Sequence, residues 1–226
     1  MNVNDFSIVV ASDAHTGYAE QICDEMAESA KARGTGIARR SPQYVADKMR
    51  EGKAVIALHN DGTWAGFCYI ETWSHEQFVA NSGLIVNPAF RKAGLAKAIK
   101  KRIFELSREK YPDAKIFGLT TGLAVMKINS ELGYEPVTYS ELTQDDNFWK
   151  GCQSCVNYEI LTMKGRKNCL CTAMLYDPVE KQQQEEEKAA PVKEQEMTHK
   201  ANLLERIEDS IKRSVKSIAF LSTLIP

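Results

Sequence analysis

Apolar residues along this chain recur at two spacings, one typical of β-strands and one typical of α-helices. Short runs rich in β-branched and aromatic residues predict strands, and apolar residues that recur every three or four positions predict amphipathic helices. The predicted strands cover residues 6–11, 54–59, 64–73, 79–86, 116–120, 134–138 and 169–176, and the predicted helices cover residues 17–33, 42–50, 95–110 and 123–132. This order predicts an α/β (α+β) fold in which helices flank a mixed, largely antiparallel sheet.

Composition changes abruptly after Pro178, and this change divides the chain. Residues 180–200 contain almost no core-forming side chains, which is typical of a solvated linker or a charged helix. Residues 202–225 regain apolar positions three and four apart, which predicts an amphipathic helix. The predicted regions are a core domain (1–140), a Cys-rich extension that completes the sheet (141–178), a charged linker (179–200) and a helical tail (201–226). The tail is a candidate surface for packing or homo-oligomerisation.

The composition of the whole chain narrows the class of protein. Its 226 residues include 29 Lys and Arg against 30 Asp and Glu, a net charge of −1. This balance argues against nucleic-acid binding, which normally needs a basic excess. No apolar run reaches the roughly 18 residues that cross a bilayer, and the first residues, MNVNDFSIVV, lack the features of a signal peptide. We therefore expect a cytoplasmic protein with neither a nucleic-acid nor a membrane partner.

Four of the six cysteines lie close together in the Cys-rich extension. Cys152-x2-Cys155 and Cys169-x-Cys171 would supply four thiolates, the ligand set of a closed tetrahedral zinc site. In a reducing compartment such a cluster indicates a metal site rather than a disulfide framework. The sequence thus predicts a structural Zn²⁺, and the alternatives are buried core thiols or redox chemistry.

The segment LIVNPAFRKAGLA, residues 84–96, carries the clearest chemical signal. A strand ends before its proline, and a helix opens at Arg91-x-x-Gly94-x-Ala96. Backbone N–H groups at a helix start lack partners within the helix, and together with the helix dipole they favour an anion. The small residues Gly94 and Ala96 let phosphates approach the backbone, and Arg91 and Lys92 add positive charge. The segment therefore predicts a pyrophosphate site.

This motif lies between an antiparallel meander and a long amphipathic helix, and in that context the sequence resembles the GNAT superfamily of acyl-CoA-dependent N-acyltransferases. The resemblance covers about residues 6–138 and implies acetyl-CoA or another acyl-CoA as cosubstrate. It implies that Ile85 and Val86 bond the pantetheine arm and polarise the thioester carbonyl from the backbone. The residues that it implies for the pyrophosphate are Arg91, Lys92, Ala93, Gly94, Leu95 and Ala96.

The chain departs from the family pattern at the next helix. Many members have an Asn at its start and a Tyr four residues before its terminal Gly, and that Tyr often protonates the leaving thiolate. Gly122 and Asn129 occupy these positions here. The departing thiolate would then be assisted by Asn129 as a hydrogen-bond donor, by water, or by a Tyr from elsewhere. This thiolate has a pKa of about 8–9 and leaves without a strong acid. By topology, Glu71 is the candidate base that keeps the attacking amine neutral.

Two arginines precede the second predicted helix, where the helix start already favours an anion. Arg39 and Arg40 come directly before Ser41-Pro42, and an arginine fork matches a carboxylate bidentately. The segment GIARRSPQYV, a WAGF strand and the NPAFRKAGLAKAI loop together resemble the acyltransferase domain of N-acetylglutamate synthases.

This second resemblance implies an acceptor. The implied reaction is acetyl or succinyl transfer to the α-amino group of a small amino acid, glutamate, in arginine biosynthesis. Arg39 or Arg40 would then hold an acceptor carboxylate. Two alternatives stay open: a GNAT enzyme with another amine acceptor, such as a polyamine, an antibiotic or a protein N-terminus, and a non-catalytic acyl-CoA-binding or interaction module.

Overall fold

One sheet organises the part of the chain that the structure, a computed structural model, describes, namely residues 3–34 and 39–189. Its strands are β1 (Phe6–Val10), β2 (Ala54–His59), β3 (Trp64–Trp73), β4 (Phe78–Val86), β5 (Lys115–Thr120), β6 (Glu135–Val137) and β7 (Thr172–Tyr176). They lie in the order β1-β2-β3-β4-β5-β7-β6. All neighbours are antiparallel except β4 and β5, which run parallel. The predicted mixed, largely antiparallel sheet is confirmed.

The four predicted helices start and end close to the expected positions: α1 (Ala19–Arg33), α2 (Pro42–Arg50), α3 (Leu95–Lys110) and α4 (Leu123–Glu131). The described residues also form α5 (Asp146–Lys150), α6 (Tyr158–Met163) and α7 (Pro178–Ala189). Ser41 caps α2 as predicted, since its Oγ accepts the Tyr44 N–H at 3.2 Å. A 3-10 turn over Asp13–Tyr18 delays the start of α1. None of the described helices combines the length and the apolar character that crossing a bilayer requires.

Helices cover the sheet on both faces, and β3 shows how its sequence serves them. Neighbouring side chains on a strand point to opposite faces. Phe67 and Tyr69 pack in the cluster that includes residues of α1 and α2, whereas Cys68 and Ile70 pack in the cluster that includes α3. Residues 64–71 of β3 are therefore all buried. This fixes the strand that carries Tyr69 and Glu71 between the two helical layers.

The Cys-rich extension is where the structure adds most to the sequence prediction. Two helices, α5 and α6, lie in a stretch for which no element was predicted, because five and six residues are too few to show a helical period. β7 begins at Thr172 rather than at residue 169, because Thr172 pairs with Thr120, the last residue of β5. The extension thus adds β7 to the sheet between β5 and β6.

The described residues up to Val179 form one compact unit. The helix α7, Pro178–Ala189, includes the start of the predicted charged linker of 179–200. The rest of the linker and the predicted tail helix of 201–226 lie outside the described residues. Homo-oligomerisation through that tail stays a prediction.

Candidate functional site

The sheet opens between its two parallel strands. β4 and β5 pair only where Phe78–Ala80 meets Lys115–Phe117. Beyond Ala80, no ladder joins the two strands in the described residues, and the second half of β5 pairs with β7 alone. The backbone of the last part of β4 is therefore available on the side that faces β5, which leaves a gap in which an extended ligand can add hydrogen bonds.

Strand alternation decides which backbone groups face this gap. The Asn87 N–H donates to the Ala65 carbonyl oxygen at 2.9 Å, so Asn87 faces β3. In an antiparallel pair the residues alternate between bonding the partner strand and facing away from it. Ile85 therefore bonds toward β3, and the backbone groups of Val86 face the gap. Ile85 and Val86 were both predicted to bond a pantetheine arm, and of these two residues Val86 presents its backbone to the gap.

A β-bulge lies just before these residues. Phe67 pairs with Ile85, but Tyr69 pairs with Ser82, so Gly83 and Leu84 of β4 lie opposite the single residue Cys68. Gly83 has φ +66°, and a Cβ on it would lie 2.4 Å from Cε1 of Tyr69. Only glycine fits there, and the Tyr69 ring is packed directly against the bulge.

The loop between β4 and α3 presents unpaired backbone donors. Within the described part of the chain, the N–H groups of residues 92–96 have no hydrogen-bond partner. Gly94 has φ +81° and precedes the first residue of α3. A Cβ on Gly94 would meet Cγ2 of Val3 at 3.2 Å. These amides and the start of a 16-residue helix form an anion site of the predicted kind.

The two basic side chains at this loop differ in what they contact. The Arg91 guanidinium donates to Glu25 Oε1 at 3.0 Å and to Ser29 Oγ at 2.8 Å, both on α1. Its charge is therefore shared with a carboxylate. Lys92 is exposed and forms no ion pair with another described residue. Lys92 is thus the side chain whose charge is free for an anion, while Arg91 ties the loop to α1.

Asn129 is buried next to the gap, with only 1% of its surface exposed. Its Nδ2 lies 3.7 Å from Sδ of Met174, and a Cβ on Gly118 would be 3.8 Å from the same nitrogen. Gly118 is the first residue of β5 after the strands separate. Among the described residues, Asn129 Oδ1 has no hydrogen-bond partner. An unpaired buried acceptor costs free energy, so the packing of Asn129 alone does not account for a polar residue at this position.

Glu71 and Arg40, predicted for separate roles, form one partly buried cluster with two tyrosines. Arg40 Nη2 lies 3.0 Å from Glu71 Oε1, and Arg40 Nε donates to the Tyr69 hydroxyl at 3.0 Å. The Tyr44 hydroxyl donates to Glu71 Oε1 at 2.6 Å. Burial and the Glu71 charge raise the pKa of Tyr44 above its ordinary value, so this hydroxyl keeps its proton. Tyr69 links the cluster to the bulge of β4, against which its ring packs.

The sequence analysis missed Tyr44 and Tyr69. The available signals were weak: Tyr69 precedes Glu71 by two residues, which puts both on one face of β3, and Tyr44 follows the cap Ser41 by three residues on α2. Arg39 lies apart from this cluster. Its side chain is exposed, and its backbone N–H donates to Ser154 Oγ at 3.1 Å.

The four cysteines of the extension line one small cavity of about 30 Å³, together with Trp149. All are free thiols. Burial and the neighbouring cysteines raise the pKa of Cys152 to about 11 and that of Cys171 to about 12. Across residues 3–34 and 39–189, no group of three or more His, Cys, Asp and Glu side chains is arranged to hold a metal ion as the side chains stand.

A sheet that opens between its central parallel strands, with an amide-lined helix start at the open end, is the architecture of the GNAT fold. The resemblance noted from the sequence is thus confirmed at the level of the fold. No family sequence profile matches the chain, and no curated protein matches it in sequence.

Solved structures supply the comparison. N-acetylglutamate synthase from Neisseria gonorrhoeae, complexed with coenzyme A and N-acetyl-glutamate, is similar with a TM-score of 0.55 and 17% identity over 76% of this chain. Rv2747 from Mycobacterium tuberculosis, in complex with CoA, has a TM-score of 0.54 and 17% identity over 76% of this chain and 98% of its own. The protein yncA from Salmonella typhimurium, with its cofactor acetyl-CoA, has a TM-score of 0.53 and 14% identity over 77% of this chain and 95% of its own.

This chain spans only about a third of the gonococcal synthase, since the matched part covers 35% of that protein. At identities of 14–17% the three structures establish a shared fold, and the chemistry has to be argued from the residues of this chain.

Proposed function

We propose that this protein is an acyl-CoA-dependent N-acyltransferase that moves an acetyl or succinyl group to the α-amino group of a small amino acid, with glutamate as the favoured acceptor. One observation carries the proposal: the unpaired amides of residues 92–96 lie at the open end of the gap between β4 and β5. A pyrophosphate and an extended pantetheine arm match these two features in charge and in shape. The bound CoA or acetyl-CoA of the similar structures supports the same donor.

The donor would bind mainly to backbone. The pyrophosphate accepts from the amides of residues 92–96 and is attracted by the exposed Lys92, while Arg91 holds the loop through Glu25. The pantetheine arm lies along β4 and bonds Val86. Polarisation of the thioester carbonyl by a backbone N–H at the end of β4 then lowers the barrier to attack.

Acyl transfer needs a neutral amine, a reactive carbonyl and a leaving thiolate. The amine lone pair attacks the thioester carbon, a C–N bond forms, the C–S bond breaks, and the amine loses a proton. Glu71 receives that proton through its second oxygen, because Oε1 already accepts from Arg40 and Tyr44. Asn129 donates from Nδ2 to the departing thiolate, whose own low basicity makes a strong acid unnecessary.

Recognition of the acceptor is assigned to the two arginines before α2. Arg40 is held by Glu71 and Tyr69, so it presents a fixed guanidinium edge, and Arg39 is exposed beside it. A fixed fork suits a carboxylate. Glutamate is favoured because the gonococcal synthase was solved with N-acetyl-glutamate, which would place this protein in arginine biosynthesis. Its six free thiols suit the reducing cytoplasm.

The test is release of free CoA thiol from acetyl-CoA and from succinyl-CoA, measured against a panel of amino acids, polyamines and peptides. We expect turnover with glutamate above that with the other amines. Turnover with a different amine would keep the enzyme class and change the acceptor. CoA binding without turnover on any amine would contradict the proposal and favour a non-catalytic acyl-CoA-binding module.

A further inference from the structure

The Cys-rich extension contacts the proposed acceptor site directly. The Arg39 N–H donates to Ser154 Oγ at 3.1 Å, a contact between residues 115 positions apart. A Cβ on Gly151 would lie 3.8 Å from Arg40 Nη2, so the backbone at Gly151 is packed against that guanidinium. Gly151 and Ser154 begin and end one 3-10 turn, Gly151–Ser154, which contains Cys152. Each of the two arginines thus meets the turn that carries the first cysteine pair.

Apolar contacts hold the two flanks of this turn. Trp149 of α5 and Leu161 of α6 are each 2% exposed in one core cluster, and Cys152 and Cys169 pack against it. The helices α5 and α6 have only five and six residues, well below the length of about 12–15 residues at which a helix is marginally stable alone. A link between the two cysteine pairs would therefore add to the packing that holds the turn.

The four cysteines are placed to provide that link. They come from two separate pieces of chain, residues 152–155 and 169–171, and all four line the same small cavity. The Cys155 N–H donates to the Cys152 carbonyl oxygen at 2.9 Å, which closes the first pair into a tight turn. The Asn157 N–H lies 3.4 Å from Sγ of Cys155, and a backbone donor of this kind stabilises a sulfur ligand.

The cavity suits one metal ion in size and in chemistry. Its volume of about 30 Å³ exceeds the roughly 10–15 Å³ that holds one water molecule, so a single ion has room. Four sulfur donors select Zn²⁺ in tetrahedral geometry. The sulfurs are not arranged around an ion as the side chains stand. Rotation about the Cα–Cβ bonds moves each sulfur between staggered positions while the backbone stays in place, and we expect the four sulfurs to close on an ion by such rotations.

We propose that Cys152, Cys155, Cys169 and Cys171 bind one Zn²⁺, and that this ion holds the Gly151–Ser154 turn against Arg39 and Arg40, so that metal occupancy sets the affinity for the acceptor. The metal site and its contact with the arginines stand on their own observations. The effect on acceptor affinity rests on the proposed N-acyltransferase function.

The first measurement is the zinc content of the full chain purified without chelator, by elemental mass spectrometry. We expect one Zn²⁺ per chain, and we expect Cys169→Ser to lower this value below one half. Cys23→Ser is the matched control, because Cys23 lies on α1 outside the cavity, and it should keep one Zn²⁺. A wild-type chain that neither contains zinc nor takes it up on addition would overturn the metal site.

The second measurement tests the link to the arginines without using turnover. Amide hydrogen exchange of peptides that cover residues 39–46 should be faster after zinc removal, whereas peptides that cover β1 should exchange unchanged. In Ser154→Ala, zinc content should stay at one per chain, and the Arg39 amide should exchange about fivefold faster, as loss of one hydrogen bond requires. If zinc removal unfolds the chain, exchange of the Arg39 amide in Ser154→Ala is the remaining test of the contact between the turn and Arg39. Unchanged exchange in Ser154→Ala would contradict the link.

The third measurement separates this inference from the proposed function. With a working acceptor, zinc removal should raise its KM about tenfold and leave the Kd for CoA unchanged, because the cysteines lie on the acceptor side. An unchanged KM would show that the metal does not affect acceptor affinity. Failure of turnover with every amine would instead contradict the proposed function, while the zinc content and the exchange data would still decide the metal site and its contact.

Discussion

The two halves of the candidate site are built from different parts of the chain. The donor half, the part proposed to bind acyl-CoA at the β4–α3 loop, consists of backbone N–H groups from consecutive residues, 92–96. The acceptor half, the part proposed to bind the amine, consists of side chains that are distant in sequence, since Arg40 and Glu71 are 31 positions apart. A backbone site depends on where the strand ends and the helix begins. A side-chain network depends on how separate elements pack. We therefore expect the two halves to be sensitive to different substitutions.

A substitution in the acceptor half should have the largest effect. Glu71→Gln removes the ionic partner of Arg40 and the proposed proton acceptor. We expect kcat/KM for the acceptor to fall by a factor of roughly 1000, with the Kd for CoA unchanged in calorimetry. Glu51→Gln is the control, because Glu51 forms a surface ion pair with Lys53, and it should leave both values intact. A fall in CoA affinity in Glu71→Gln would show that the two halves do not act independently.

The donor half should respond to a change of backbone shape. Gly94→Val puts a β-branched residue at φ +81°, where its Cβ would meet Cγ2 of Val3 at 3.2 Å. Such strain costs of order 1–3 kcal/mol, and its relief would shift the loop that carries the unpaired amides, so we expect a rise of roughly 100-fold in the Kd for CoA.

Gly62→Val provides the matched control for this change. Gly62 has a similar φ of +85°, and a Cβ there meets nothing within 4 Å. We expect a comparable loss of stability in thermal unfolding with no change in CoA affinity. Equal effects of the two substitutions on the Kd would mean that strain alone, and not the amide site, accounts for the loss.

Asn129 lies beside Gly118, the first residue of β5 after the strands separate, and a substitution there should affect stability and catalysis in opposite directions. Asn129→Leu removes a buried oxygen that has no partner among the described residues. The free energy of unfolding should rise by about 1 kcal/mol, while kcat should fall roughly tenfold through loss of the donor to the thiolate. A stabilised variant with full kcat would show that Asn129 has no part in thiolate release.

The smallest effect should come from side-chain charge at the donor half. Lys92→Ala should raise the Kd for CoA by about threefold at low salt, with a smaller difference at high salt, because an exposed charge is screened. Lys97→Ala is the control, since Lys97 pairs with Glu131 at 2.7 Å. If Lys92→Ala weakens binding as strongly as Gly94→Val, the donor site depends on side-chain charge rather than on backbone.

The same division explains how far the sequence predicts this molecule. The donor loop was predictable because a strand end, a proline and Gly94 are local signals that fix backbone direction. The α2 start was predictable for the same reason, since Ser41 and Pro42 are neighbours in the chain.

The side-chain contacts could not be predicted in this way. Nothing local indicates that Tyr44, Tyr69 and Glu71 converge on Arg40, because that depends on α2 packing over β3. The bulge at Gly83 was missed because it needs the register of β3 and β4, which a single strand pattern does not contain. The short helices α5 and α6 gave too few turns for a period to appear.

The proposed activity of this protein is acyl transfer from acyl-CoA to an amino acid. It can be tested by mixing the full chain with acetyl-CoA and ¹⁵N-labelled glutamate and identifying the labelled product by mass spectrometry. We predict that N-acetylglutamate and free CoA form in equal amounts, at a rate proportional to protein concentration. If acetyl-CoA binds the protein while labelled glutamate and every other amine offered stay unchanged, the protein is not an N-acyltransferase.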